Sequence, residues 1–143
     1  MDHYGCPILL FFRTFADVML SSVINIVIDA SGLMLTDDFQ ITQKDGAANI
    51  VTSSDIAVQE FLCRRLSDLL PGCGFLCEEE DMHDLLHEYT WIIDPIDGTA
   101  NYSRGIREFA VCVGLKHGAV MELAVASFIS SICFLHGILL PLH

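Results

Sequence analysis

Apolar and polar positions along this chain fall into two periods, and the two periods predict its elements. Val58, Phe61, Leu62, Leu66 and Leu69 recur at three- and four-residue spacing, so Ser54 to Leu70 reads as one amphipathic helix ended by Pro71-Gly72. Four short runs read instead as strands: Gly74 to Cys77, Tyr89 to Ile93, Glu108 to Lys116 and Ala119 to Val125, with His117-Gly118 as a tight turn between the last two. In the third run Phe109, Val111, Val113 and Leu115 alternate with Ala110, Cys112 and Gly114. The small-residue side is expected to receive a packing helix. Helix, strand, turn and hairpin in this order predict an α/β or α+β layered domain.

The ends are apolar but do not read as membrane segments. Met1 to Ile28 is interrupted by Arg13 and Asp17, no basic residue precedes Ile8 as a signal peptide requires, and the stretch reads as helical. Leu123 to Leu142 carries no formal charge and is long enough to cross a bilayer at about 1.5 Å per residue. Ser127, Ser130, Ser131, His136 and Gly137 dilute it and no basic residue flanks it, so membrane insertion is the disfavoured reading.

Charge changes the picture in one place. The 143 residues carry a net charge of −12, which disfavours nucleic acid and anionic membranes as partners. Between Arg65 and Arg104 lie nine Asp or Glu residues and no Lys or Arg. Such a stretch attracts cations. Within it, the apolar run Trp91-Ile92-Ile93 leads into Asp94-Pro95-Ile96-Asp97-Gly98-Thr99. Pro95 bars a regular helix between the two acids, so both carboxylates can converge on one hard cation. Gly98 and Thr99 stand where a helix can begin, and the unpaired N–H groups of a helix start favour a phosphate oxygen. Upstream, Phe75-Leu76-Cys77 runs into Glu78-Glu79-Glu80-Asp81, which places a further carboxylate at a strand end. The six cysteines show no Cys-x-x-Cys pairing and read as reduced thiols of a cytoplasmic protein. His83 and His87, at helical zinc spacing, read as loop histidines because an oxygen-rich site needs no imidazole.

These motifs resemble those of the inositol monophosphatase family of Mg²⁺-dependent, Li⁺-sensitive phosphomonoesterases. Trp91 through Tyr102 meets every constrained position of the family's apolar strand, Asp-Pro-(Ile/Leu)-Asp-Gly-Thr, two residues, then an aromatic. The family's apolar pair, Gly, Glu-Glu is present with Cys77 in place of Gly, and Lys44 followed by Asn49-Ile50-Val51-Thr52-Ser53-Ser54-Asp55 resembles its Lys, then (Asp/Asn)-x-Val-Thr-x-x-Asp segment. The resemblance covers Lys44 to about Val125, with a fainter echo at Ala30-Ser31-Gly32.

The resemblance implies the N-terminal part of an alternating helix and sheet sandwich over residues 28–125, flanked by an apolar region 1–27 and an apolar tail 126–143. It implies Mg²⁺, with Mn²⁺ possible, held by Glu78, Asp94, Asp97 and the Ile96 carbonyl. Glu79 and Thr99 would position and deprotonate the attacking water, with Asp55 accepting a hydrogen bond from Thr99. Backbone N–H groups of Gly98, Thr99 and Ala100 would bind the phosphate. The implied substrate is a small polyol phosphate, inositol monophosphate foremost, and a homodimer is a possible assembly. A further metal-binding Asp that the family places in a second half, within a Trp-Asp-x-Ala type of segment, has no counterpart here, since Trp91 is the only Trp. A catalytically silent half-domain that binds metal or a partner chain is the alternative.

Overall fold

The structure is a computed structural model that describes residues 7–35, 41–43, 50–78 and 87–128. Its longest element is helix α1, Pro7–Leu33, which continues past Ile28. Met19, Val23, Ile26, Val27 and Ala30 repeat every three or four residues along it and are all buried, so α1 contributes a full stripe to the core. Helix α2, Ser53–Leu69, follows strands β1, Ile41–Gln43, and β2, Ile50–Thr52, which pair antiparallel. Val58, Leu62 and Leu66 of α2 are fully buried, as their spacing predicts.

The main sheet has four strands in chain order: β3, Gly74–Cys77; β4, Tyr89–Asp97; β5, Ala110–His117; and β6, Val120–Phe128. β3 and β4 run parallel and the other pairs antiparallel. A short helix α3, Thr99–Ser103, lies between β4 and β5. Helix α1 packs on β5 and β6 and on α2, and α2 packs on β4, so both long helices cover the sheet. Ser31 ties α1 to β6 by donating to the Val27 carbonyl at 2.8 Å and to Ser127 Oγ at 3.1 Å.

Three expectations are corrected. The helices meet the bulky side of β5, where Val111, Val113 and Leu115 join Trp91, Ile93, Leu123 and Val125 in the core, rather than the side of Ala110, Cys112 and Gly114. Burial of apolar area decides this, because the large side chains remove far more surface from water. Strand β4 does not end at Ile93 but runs on through Asp97, and β6 runs past Val125 to Phe128. Met19, Val23, Ile26 and Val27 of the N-terminal stretch lie in the core. Among the described residues, no helix is long and apolar enough to cross a membrane. Residues 129–143 of the apolar tail lie outside the described residues, as do Lys44, Asn49 and His83.

Candidate active site

The site begins with an irregularity in the ladder. Asp94 pairs with Cys112 and Asp97 with Ala110, so Pro95 and Ile96 together stand opposite Val111 alone. Proline has no N–H to give to a ladder, and one extra residue on one strand is a β-bulge. The consequence is geometric. Residues three apart on a regular strand point to opposite faces, but the bulge matches Asp94 and Asp97 to β5 residues two apart, which share a face. Both carboxylates therefore belong to the face away from α1 and α2, while Ile96 turns into the core at 1% exposure.

Parallel pairing brings the third acid alongside. Cys77 is matched to Ile93, and the Glu78 N–H continues the ladder by donating to the Ile93 carbonyl at 3.4 Å. Glu78 thus stands beside Asp94 at the end of the sheet. The Asp94 carboxyl is pushed up to about 7, first by burial and then by Glu78, Asp97 and Asp55. Its Oδ1 is buried with no hydrogen-bond partner. Cys112 on the same face is pushed up to about 11, by burial first and then by Asp94 and Asp97. A thiol beside the acid pair was not singled out in the sequence, although the alternation along β5 put Cys112 on the small-residue side.

The turn after β4 is built on Gly98, whose φ of 92° is left-handed. A Cβ there would meet the Glu108 carbonyl oxygen at 3.0 Å, so conformation and space both require glycine. The Gly98 carbonyl accepts the N–H groups of Asn101 at 2.9 Å and Tyr102 at 3.0 Å, which starts α3. Gly98, Thr99 and Ala100 occupy the start of that turn, where backbone N–H groups have no acceptor within the helix. Thr99 Oγ1 lies 2.9 Å from the Ile96 carbonyl and 3.3 Å from Asp55 Oδ1, both acceptors for its single hydrogen. The Ile96 oxygen keeps a second lone pair. Asp55, 1% exposed in the first turn of α2, is held where the helix dipole favours its charge.

A second link between α2 and α3 was invisible in the sequence. Ser54 Oγ and Tyr102 Oη share a buried hydrogen bond at 2.8 Å, and the Tyr102 ring packs edge-on against Phe109. Nothing local signals a contact between residues so far apart in the chain. Asn101 Nδ2 donates to the Glu108 carbonyl at 2.9 Å and closes the loop that returns to β5.

The structure thus places Asp55, Glu78, Asp94, Ile96, Asp97, Gly98, Thr99 and Ala100 around one end of the sheet, while Glu79 lies outside the described residues. Among the described residues, no three Asp, Glu, His or Cys side chains form a ready-made metal cage. What fits a hard divalent cation is the donor set itself: a buried Asp94 oxygen without a hydrogen-bond partner, on a carboxyl whose proton affinity burial and its acidic neighbours raise.

Comparison with known proteins agrees with the motifs. The model of the inositol monophosphatase family matches residues 13–131. The chain belongs to this family. The match starts ahead of the residue-28 boundary drawn from the motifs and ends beyond Val125, so it takes in most of α1 and all of β6. The inositol-1-monophosphatase of Caulobacter vibrioides is 41% identical over 80 residues, which are 55% of this chain and 31% of that protein. Human inositol monophosphatase 2 is 34% identical over 95 residues, 64% of this chain and 33% of that protein. The crystal structure of the extragenic suppressor protein suhB from Bartonella henselae superposes with a TM-score of 0.75 at 22% identity, over 85% of this chain and 49% of that one. The fold is therefore that of inositol monophosphatases, and the chain spans about a third of the length of these curated relatives.

Proposed function

We propose that this chain carries the phosphate- and metal-binding half of a Mg²⁺-dependent phosphomonoesterase acting on a small polyol phosphate, inositol monophosphate foremost. The observation that carries the reading is the convergence of Glu78, Asp94 and Asp97 at the sheet end beside the turn where Thr99 meets Asp55. Glu78, Asp94, Asp97 and the Ile96 carbonyl would hold Mg²⁺, or Mn²⁺ in its place. When bound, the cation supplies a lowered pKa for a nucleophilic water and charge neutralisation at the leaving oxygen. The chain's own residues do the rest. Gly98, Thr99 and Ala100 present N–H groups to the phosphate oxygens and fix its orientation for in-line attack. Thr99, oriented by Asp55, positions the attacking water together with Glu79. The reading carries a cytoplasmic setting and a homodimer as the assembly to test.

A second reading is a catalytically silent half-domain that binds metal or a partner chain. Phosphate release from inositol 1-phosphate with Mg²⁺, with and without Li⁺, separates the two. Residues 1–143 alone are expected to release little phosphate, and joining a family-type C-terminal half after Phe128, where β6 ends, is expected to restore Li⁺-sensitive turnover. No recovery in a folded joined protein that binds Mn²⁺ would favour the silent reading.

A further inference from the structure

Beside the acid cluster, the packing of α2 on the sheet brings thiols together. Cys63 of α2 and Cys77 of β3 have their Sγ atoms 3.8 Å apart, close to van der Waals contact. Cys63 is half-buried, Cys77 is buried at 7% exposure, and both belong to regular elements of the core, so their approach is set by packing rather than by a loop. Cys73 sits near Cys63, and burial pushes its thiol up from the ordinary value. All three are thiols in this structure. Cys77 is also the position at which the chain departs from the glycine of the family pattern.

We propose that Cys63 and Cys77 are an oxidation site at which a peroxide closes an intramolecular disulfide, clamping α2 to the end of β3 next to Glu78. The half-buried Cys63 thiolate attacks one peroxide oxygen, the O–O bond breaks, and a sulfenic acid and water result. The Cys77 sulfur then attacks the Cys63 sulfur, forms the S–S bond and releases a second water. Two thiols are oxidised and one peroxide is reduced to two waters. A thiol reductant reverses the step by exchange. Closure needs the sulfurs to approach from 3.8 Å to bonding distance, about 2.05 Å.

The test uses the whole chain. Hydrogen peroxide should remove two of the six thiols, restore them on addition of dithiothreitol, and raise Tm by several degrees in the oxidised form. No Lys or Arg lies between Arg65 and Arg104, so trypsin leaves Cys73 and Cys77 on one peptide. Chymotrypsin cleaves after Phe75 and separates the two, so in the unmodified chain the cross-linked peptides should join Cys63 to Cys77. The Cys63→Ser chain should lose no pair of thiols at the same peroxide dose. Oxidation in concentrated guanidinium should scramble the pairing, which ties specificity to the fold even if a variant folds poorly. A Cys63–Cys73 link as the main native product, sulfinic acid on Cys63 without a cross-link, or the same pairing in folded and unfolded chain would overturn the proposal.

Discussion

The two faces of the four-stranded sheet have opposite tasks. Toward α1 and α2 the sheet presents Trp91, Ile93, Val111, Val113, Leu115 and Val125, each no more than 4% exposed. On the other face Asp94, Cys112, Ala124 and Ala126 are half-buried and Asp97 is exposed. The first face supplies the burial that holds the fold. The second tolerates a carboxylate whose proton affinity is raised, a condition that costs stability and suits a cation. The fold can carry this strained chemistry because the burial that stabilises it is concentrated on the other side of the same strands.

The largest expected effect comes from attacking the helix-side face. Trp91→Ala should cost about 3 to 5 kcal/mol in urea unfolding. A cost below about 1 kcal/mol would show that the face is less tightly packed than its burial implies. Next is the turn that joins the faces. Gly98→Ala must adopt the left-handed conformation with its Cβ 3.0 Å from the Glu108 carbonyl oxygen, and should lower stability by about 1 to 3 kcal/mol. Thermal unfolding as stable as the unmodified chain would mean that the turn relaxes freely.

A smaller effect sharpens the comparison on the acid face. The Asp94 carboxyl has a folded-state value of about 7, above the ordinary carboxylate range, so the folded chain holds that proton more tightly than the unfolded one. Its contribution to stability is complete below about pH 4 and is lost as pH rises toward about 7. Asp94→Asn should flatten that part of the Tm–pH curve and should weaken Mn²⁺ binding measured by calorimetry. Unchanged curves and isotherms would remove Asp94 from the site. The smallest effect on stability belongs to Thr99→Ala, about 0.5 to 1.5 kcal/mol for one hydrogen bond. In the joined protein the same change should lower phosphate release about a hundredfold or more, with Thr99→Ser recovering most of it. Equal rates for both variants would leave Thr99 a structural cap.

Much of this was legible along the chain. The three- and four-residue spacing of Val58, Leu62 and Leu66 marked α2, and the alternation through Phe109 to Leu115 marked β5, because both signals are local. The string from Trp91 to Tyr102 carried the family, since its residue types are tied to one turn chemistry. Less legible was the mechanism of convergence. Pro95 announced that no helix joins Asp94 to Asp97, but only the bulge opposite Val111 shows why both acids reach one face.

What the sequence determined by itself, then, is what short-range constraints dictate: the periods of the elements, and the acid, proline, glycine and threonine at fixed spacing. Tertiary structure decided the rest. It chose which face of β5 meets the helices, made α1 part of the core, joined Ser54 to Tyr102, and brought Cys63 within 3.8 Å of Cys77. Each of these depends on which distant surfaces bury the most apolar area together. That quantity belongs to the packed whole and to no segment of the chain.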